Sequence, residues 1–535
     1  MLFINPAQEN FGGMLSKYVP VGIPVALGVL SAYLKKSGVK DIRIVDEEIQ
    51  KITPTNIKEF AKGLETPLIV GITVLTSQAG RSYEIGEMVR EAFPDATVIY
   101  GGIHVTALPN EPLDQGVADV VIRGEGEEIL KQVYYAIREG RDWKKINGVS
   151  YMGDDGKVIN NPDAELLEDL DDVPMIPYEL FDNPKYDMGF ITSARGCPYK
   201  CSYCSQRILT GFTYRWHSTE RILENLRVLI DDYNQKQIVF YDDTFSTNKK
   251  RVIDLCDGII RKGLHEKCSF SVQTRADNLY ESIMPHLQRA NFKSISLGME
   301  TGVERIADEI KKDETVQTHL EKIELCKKYG INVVLGMIYG FPSESKADRE
   351  ESHRVVQKAD VGFVKYNNLV PYPGTPLYDQ AKETGRLYIA PGWKNFNSTL
   401  SFTHSIFSID PVPFVPEGTS EFELKRDIIK RNFQYYFQFK IIKKMLVGDR
   451  GVGWVKLPPK WYLKPGEIFS LFNTALILFI NLLFSFLPLV FGETVYAFVD
   501  RNKAIVPPKD IKIKSRSFLR AKTSGSRLQT TKTAV

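Results

Sequence analysis

Cysteine is scarce in this chain: six among 535 residues, at Cys197, Cys201, Cys204, Cys256, Cys268 and Cys326. That is too few for a disulfide scaffold in a chain of this length, and it fits a reducing compartment. Charge imbalance is also absent. A formal net charge of +3 gives no argument for nucleic acid, and none is expected as a partner. The opening residues, MLFINPAQENFGG, lack the basic region, apolar core and small-residue cleavage site of a secretory signal, so the amino-terminal part is expected in the cytoplasm. No internal repeat is visible. Nor is the composition that of a disordered chain, since 43% of residues are hydrophobic and 25% charged, the balance of a folded protein. The last absence is local. No charge occurs between Glu467 and Glu493, and the run IFSLFNTALILFINLLFSFLPLVFG is long enough to cross a hydrocarbon core of about 30 Å as a helix.

What is present is alternation of β-rich runs with helical stretches. Residues 1–150 read as MLFIN, a helix from about Pro24 to Ser37, DIRIVD, LIVGITVLT, a helix around Tyr83 to Phe93, ATVIYGG and VADVVIRGEGE, which predicts a doubly wound, Rossmann-like α/β domain. Ligands of such sheets sit at the carboxyl ends of the strands, where Thr76, Ser77, Gly101, Gly102, Gly124 and Gly126 fall. By spacing alone these are equally the ordinary turns that any such domain needs. Residues 151–185 hold an acidic, proline-bearing linker, AELLEDLDDVPMIPYELF. Over 186–390 a second series of six strands with intervening helices predicts an open, partial (β/α)6 barrel, with Asp242, Asp243, Arg275, Glu300, Glu344 and Tyr372 at or just past strand ends. Residues 391–465 are mixed and increasingly basic, 466–492 are the expected C-terminal hydrophobic membrane helix, and 493–535 form a basic tail.

The stretch ITSARGCPYKCSYCSQ, Ile191 to Gln206, places Cys197, Cys201 and Cys204 on one tight loop. Zinc would want a fourth ligand nearby, and His217 has no matching pair. A cubane of four irons held by three thiolates leaves one iron open, which is a place for a substrate or cofactor. Three buried structural cysteines are the remaining reading, but adjacent thiols at a glycine-led strand end would be exposed to oxidation. Cys256, Cys268 and Cys326 lie in helix or strand patterns and read as core.

The spacing of these cysteines, with an aromatic at Tyr203, resembles the CxxxCxΦC motif of the radical S-adenosylmethionine (SAM) enzymes. YDDTF, FSVQTRAD, LGMETG, GMIYGFPSES and PYPGTPLY follow in the order of that family's later strands. The preceding PVALGVLSAYLKKSG, GGIHVTALPNE and VIRGEGEE resemble the cobalamin-binding domain of its cobalamin-dependent class. The resemblance covers roughly residues 1–390. It implies a [4Fe-4S] cluster on Cys197, Cys201 and Cys204, SAM on the open iron, and cobalamin on the strand-end residues of the first domain, Glu125 and His104 included. Within it, Arg275 suits the methionine carboxylate, Glu300 the methionine ammonium or ribose hydroxyls, and Gly336 and Gly340 the close approach of backbone to adenine. Asp242 faces the same mouth or caps a helix. One departure is that the chain has no Asp-x-His-x-x-Gly signature, so the lower cobalt face is not expected to carry a motif histidine, and His104 is expected to shape its loop.

The resulting expectation is a membrane-associated, cobalamin-dependent radical SAM enzyme that methylates an unactivated carbon of a lipid or isoprenoid-like substrate, reduced by a flavodoxin or ferredoxin. Two alternatives stay open: oxidative cyclisation or rearrangement with the same cofactors, and a non-catalytic, membrane-tethered cobalamin and iron–sulfur sensor. Basic residues on both sides of 466–492, with Asn481 and Pro488 inside, leave a spanning, re-entrant or interfacial arrangement open.

Overall fold

The computed structural model describes residues 1–8, 21–397 and 411–436, together with a few isolated positions up to 456. The β-branched runs of the first domain form a seven-stranded sheet: Leu2–Asn5 (β1), Arg43–Asp46 (β2), Ile69–Thr73 (β3), Thr97–Gly101 (β4), Val120–Ile122 (β5), Val149–Met152 (β6) and Val158–Asn160 (β7). Their order is β2-β1-β3-β4-β5-β6-β7. The first five are parallel and the last two add antiparallel. Strands such as Ile69–Thr73, almost entirely buried, are apolar on both faces because helices cover both. Val25–Lys36 and Glu127–Arg138 pack on one face with Leu27, Leu34, Leu130 and Val133.

The second series gives Phe190–Ile191 (β8), Gln237–Phe240 (β9), Ser269–Thr274 (β10), Phe292–Glu300 (β11), Asn332–Tyr339 (β12) and Phe363–Asn368 (β13). These six pair in strict sequence order, all parallel. Alternate residues of β11, Ile295, Leu297 and Met299, are buried against the outer helices. Ser296, Gly298 and Glu300 point the other way, into the lumen. The two domains share a core. Val105, Tyr83 and Tyr100 of the first sheet's other face cluster with Phe341, Leu369 and Trp393 from beyond the barrel strands. A helix over Glu421–Tyr436 then closes the barrel's last edge, with Asp427 bound to the fully buried Arg349 at 2.9 Å.

One expectation needs correction. Among the described residues no helix is long and apolar enough to cross a membrane, so the fold is two α/β domains, and the C-terminal membrane helix expected over 466–492 is no part of it. That segment and the basic tail 493–535 lie outside the described residues.

Candidate active site

The cysteine loop hangs from a short ribbon in which Ala194–Arg195 pairs antiparallel with Arg215–Trp216. Gly196 opens it at φ +85°, and a Cβ there would lie 1.9 Å from the Thr213 carbonyl oxygen, so only glycine fits. Asp242 anchors the loop's base: its carboxylate accepts the Ser193 and Ala194 amides at 2.6 and 3.0 Å and the Ser193 hydroxyl at 2.6 Å. It is buried and serves the backbone, not the barrel mouth. Its neighbour Asp243 accepts the Gly196 amide at 2.8 Å and is pushed up to about 6 by burial. Further along, the Ser202 amide donates to Ile310 O at 2.9 Å.

Cys201 is buried, and Cys197 and Cys204 are half-buried. Burial pushes all three thiols up, Cys204 to about 12; the neighbouring thiols add to it for Cys197 and Cys204, while at Cys201 Lys312 and Arg275 pull the other way. Such thiols ionise only beside a positive centre. Among the described residues no group of three His, Cys, Asp or Glu side chains is placed to hold a single metal ion. A cubane engages each thiolate with a different iron, and three thiols on one loop, one buried and two half-buried, fit that donor set.

Around the loop stands a set of buried charges. Arg275 lies with Nη1 3.8 Å from Cys201 Sγ, its guanidinium stacked 3.6 Å from the Tyr199 ring centroid. Its fork is engaged by Asp277 at 3.0 and 2.9 Å, so the bidentate face expected to meet a methionine carboxylate is turned to a side chain of the same loop. Glu300 ends β11 at φ +67° and accepts the Tyr203 hydroxyl at 3.1 Å, while burial raises its carboxyl. Lys312 and Glu314 complete the set. Lys312 Nζ is 3.1 Å from Glu314 and 3.9 Å from Glu300, and Glu314 lies 3.7 Å from Arg275. Burial opposes the Lys312 charge, but the two glutamates hold its pKa above the ordinary value. Burial opposes the Glu314 charge too, and His319, Lys312 and Arg275 hold it ionised. Neither residue was expected from the sequence, because KKDET reads as a solvated charge run.

Gly336 sits in register between Gly298 and Lys365; a Cβ on Gly298 would collide with the Glu300 carboxylate, so that glycine makes room for Glu300, while one on Gly336 would meet nothing closer than 3.7 Å. Gly340, at φ +104°, turns instead toward Leu424 of the closing helix. Lys365 faces the lumen by strand parity and is pushed down to about 8 by burial.

On the other side, Gly101, Gly102, Gly124, Glu125 and Gly126 line a cavity of 340 Å³ that reaches from the first sheet's core to the barrel. Its inner end is apolar, with Phe3, Leu27, Ile99 and Leu130, and its outer end meets Arg195, Tyr241 and Asp243. A Cβ on Gly71 would lie 2.9 Å from Phe3, and one on Gly102, at φ +110°, 2.8 Å from Val74 O. This cradle, apolar within and rimmed by bare backbone, fits an extended cofactor that enters at strand ends. Thr76, Ser77 and His104 lie outside it. Thr76 and Ser77 form the turn after β3. His104 is buried, with Nε2 2.8 Å from Glu111 and its ring edge-on to Trp393, and so orders its loop.

Comparison with known proteins agrees with this geometry. Residues 191–356 match the radical SAM superfamily and residues 13–134 the B12 binding domain. An uncharacterised methyltransferase of Pyrococcus horikoshii is 30% identical over 80% of this chain and 91% of its own. The hopanoid C-2 methylase of Rhodopseudomonas palustris is 26% identical over 68% and 65%. The cobalamin- and [4Fe-4S]-bound structure of the radical SAM methyltransferase TsrM from Kitasatospora setae superposes with a TM-score of 0.61 at 20% identity, over 80% and 81% of the two chains. The chain belongs to the radical SAM superfamily, in the group that carries a B12 binding domain ahead of the barrel. It is a radical SAM enzyme of the methyltransferase or cyclase type, and its cofactors are a [4Fe-4S] cluster, SAM and cobalamin.

Proposed function

We propose that this enzyme methylates an unactivated carbon of a lipid or isoprenoid-like molecule in a reducing cytoplasm, with electrons from a flavodoxin or ferredoxin. The observation that carries the reading is the common cavity, walled by the glycine loops of one domain and by Arg195, Tyr241 and Asp243 beside the cysteine loop of the other. When bound, the cofactors supply hydrogen abstraction from an unactivated C–H bond and a methyl carrier. The chain's own residues do the rest. Gly336 leaves room beside its strand for a substrate, Gly298 makes room for the Glu300 carboxylate, and Glu300, Lys312 and Glu314 offer paired charges for the polar groups of SAM. The shared core between the domains excludes water. Hopanoid C-2 and C-3 methylases among the relatives support the substrate class.

Oxidative ring closure without methyl transfer is the second reading. It is favoured by the relatives named anaerobic magnesium-protoporphyrin IX monomethyl ester cyclase, from three organisms. The test is anaerobic incubation of the reconstituted enzyme with methyl-labelled SAM, a reductant and a cell lipid extract. Label in a lipid supports methylation. 5′-Deoxyadenosine together with a dehydrogenated or cyclised product and no label transfer supports the second reading, and SAM left intact with every extract overturns both.

A further inference from the structure

The three-cysteine loop and the glycine loop of the cobalamin domain are tied by four charged side chains. Arg195 and Arg215 are register partners in the two-stranded ribbon. Arg195 stands just before the cysteine loop and Arg215 follows it after the short helix Arg207–Thr210, so the ribbon is the neck of the whole segment that carries the cysteines. Both arginines reach across to the Gly124–Glu125–Gly126 turn, and Arg195 also to the helix that follows. Arg215 holds Glu125 with both arms, Nη2 to Oε1 at 2.7 Å and Nη1 to Oε2 at 2.9 Å. Arg195 gives Nη1 to Glu125 Oε1 at 3.2 Å and Nη2 to Glu127 Oε1 at 2.7 Å.

All four side chains are at most 16% exposed. Water therefore screens them little, and forked guanidinium–carboxylate pairs fix direction as well as distance. Glu125 is flanked by glycines, and Gly124 stands at φ +77°. A turn this permissive has little stiffness of its own, and besides the Gly124 amide's bond to Thr106 Oγ1 at 3.1 Å it is the arginines that hold it. Arg195, Glu125 and Glu127 also line the cavity, between the cobalamin cradle and the cysteine loop.

We propose that Glu125, Arg195 and Arg215 are positioning residues that fix the spacing between cobalamin and the iron–sulfur cluster. Glu125 then acts through the arginines and not as a cobalamin contact. The inference rests on the cofactors alone and not on the identity of the substrate.

The test uses the full chain loaded with both cofactors, poised so that cob(II)alamin and the reduced cluster are both paramagnetic. The distance distribution between the two spins is measured by pulsed dipolar spectroscopy. The native enzyme is expected to give one narrow distribution. Glu125→Gln, which keeps the shape and removes the charge, is expected to keep iron and cobalamin content while the mean shifts or the width grows by about 1 Å or more, the scale on which misplacement damages catalysis. An unchanged distribution in a fully loaded Glu125→Gln protein overturns the proposal. So does loss of cobalamin with the cluster intact, since Glu125 would then serve cofactor retention. Should Glu125→Gln fold poorly, Arg215→Lys, which keeps the charge and loses the fork, is read by the same criteria.

Discussion

The first sheet and the barrel hold their ligands by opposite means. The cobalamin side is built from missing side chains: Gly71, Gly101, Gly102, Gly124 and Gly126 leave backbone and an apolar slot exposed to the cofactor. The SAM side is built from buried charges, Arg275, Lys312, Glu300 and Glu314, packed within 4 Å of one another in successive pairs. A site made of absences is damaged by adding atoms. A site made of paired charges is damaged by removing one of them, because the partner is left uncompensated.

The largest effect is expected where neither kind of compensation exists. Replacing Cys197, Cys201 or Cys204 by Ala should abolish the functional cluster and all SAM cleavage, as three thiolates are the minimum to hold it with one iron open. Iron content, visible absorbance and 5′-deoxyadenosine release check this. Cobalamin binding to the same variants should persist, since its cradle belongs to the other sheet. A cysteine variant that keeps both absorbance and cleavage would mean that the cluster lies elsewhere.

Next comes Glu314→Gln. Its carboxylate lies between Lys312 and Arg275 and is fully buried, so neutralising it leaves two cations facing each other beside Cys201. A loss of about 3–5 kcal/mol is expected for breaking a buried ion pair, read as a lower unfolding midpoint and weaker SAM binding. Cobalamin affinity should not change. The matching experiment on the other side is Gly102→Ala. Its Cβ would meet Val74 O at 2.8 Å in a backbone conformation at φ +110°, a strain of about 1–3 kcal/mol. Cobalamin affinity should fall roughly tenfold or more with the cluster intact. If both variants damaged both cofactors alike, the contrast between the two sites would be wrong.

The same contrast explains what the sequence disclosed. The first sheet was legible because strands buried on two faces must be continuous apolar runs, the barrel because six β-rich runs alternate with helix-length segments, and the cysteine loop because three thiols in eight residues have few other uses. The glycines were legible as strand-end turns, yet only the structure separates Gly101, Gly102, Gly124 and Gly126, which line the cavity, from Thr76 and Ser77, which do not. Charges were the least legible. Lys312 and Glu314 look like surface residues until the chain folds Glu300 and Cys201 against them, and Glu125 shows no sign in sequence of its partners Arg195 and Arg215. Asp242 was readable as a mouth residue or a cap, and it is neither: it accepts the amides of the neighbouring strand's end. Pairings between residues distant in sequence carry no periodicity, and periodicity is what a sequence pattern reports.

The smallest effect on either cofactor is expected at Glu344, a charge outside both sites whose effect is on stability, and its sign follows from burial. The carboxyl is fully buried and pushed up to about 8 by loss of water, although the Gly340 amide and Arg349, 3.8 Å away, pull the other way. Arg349 does not prevent the rise because its own charge is met at 2.9 Å by Asp427 of the closing helix. The folded state therefore keeps a proton on Glu344 between about pH 4.5 and 8 that the unfolded chain has released. Where the native state binds more protons, stability falls as pH rises, so this contribution is intact at pH 4.5 and is lost by pH 8 and above. Glu344→Gln, neutral throughout and still able to accept the Gly340 amide, removes that slope. Unfolding midpoints of the two proteins should coincide near pH 5 and separate toward pH 9, with the variant higher. A difference that stays constant across that range would mean that Glu344 is ionised in the fold and paired to Arg349, and that the charge logic of the SAM side extends to the barrel's outer edge.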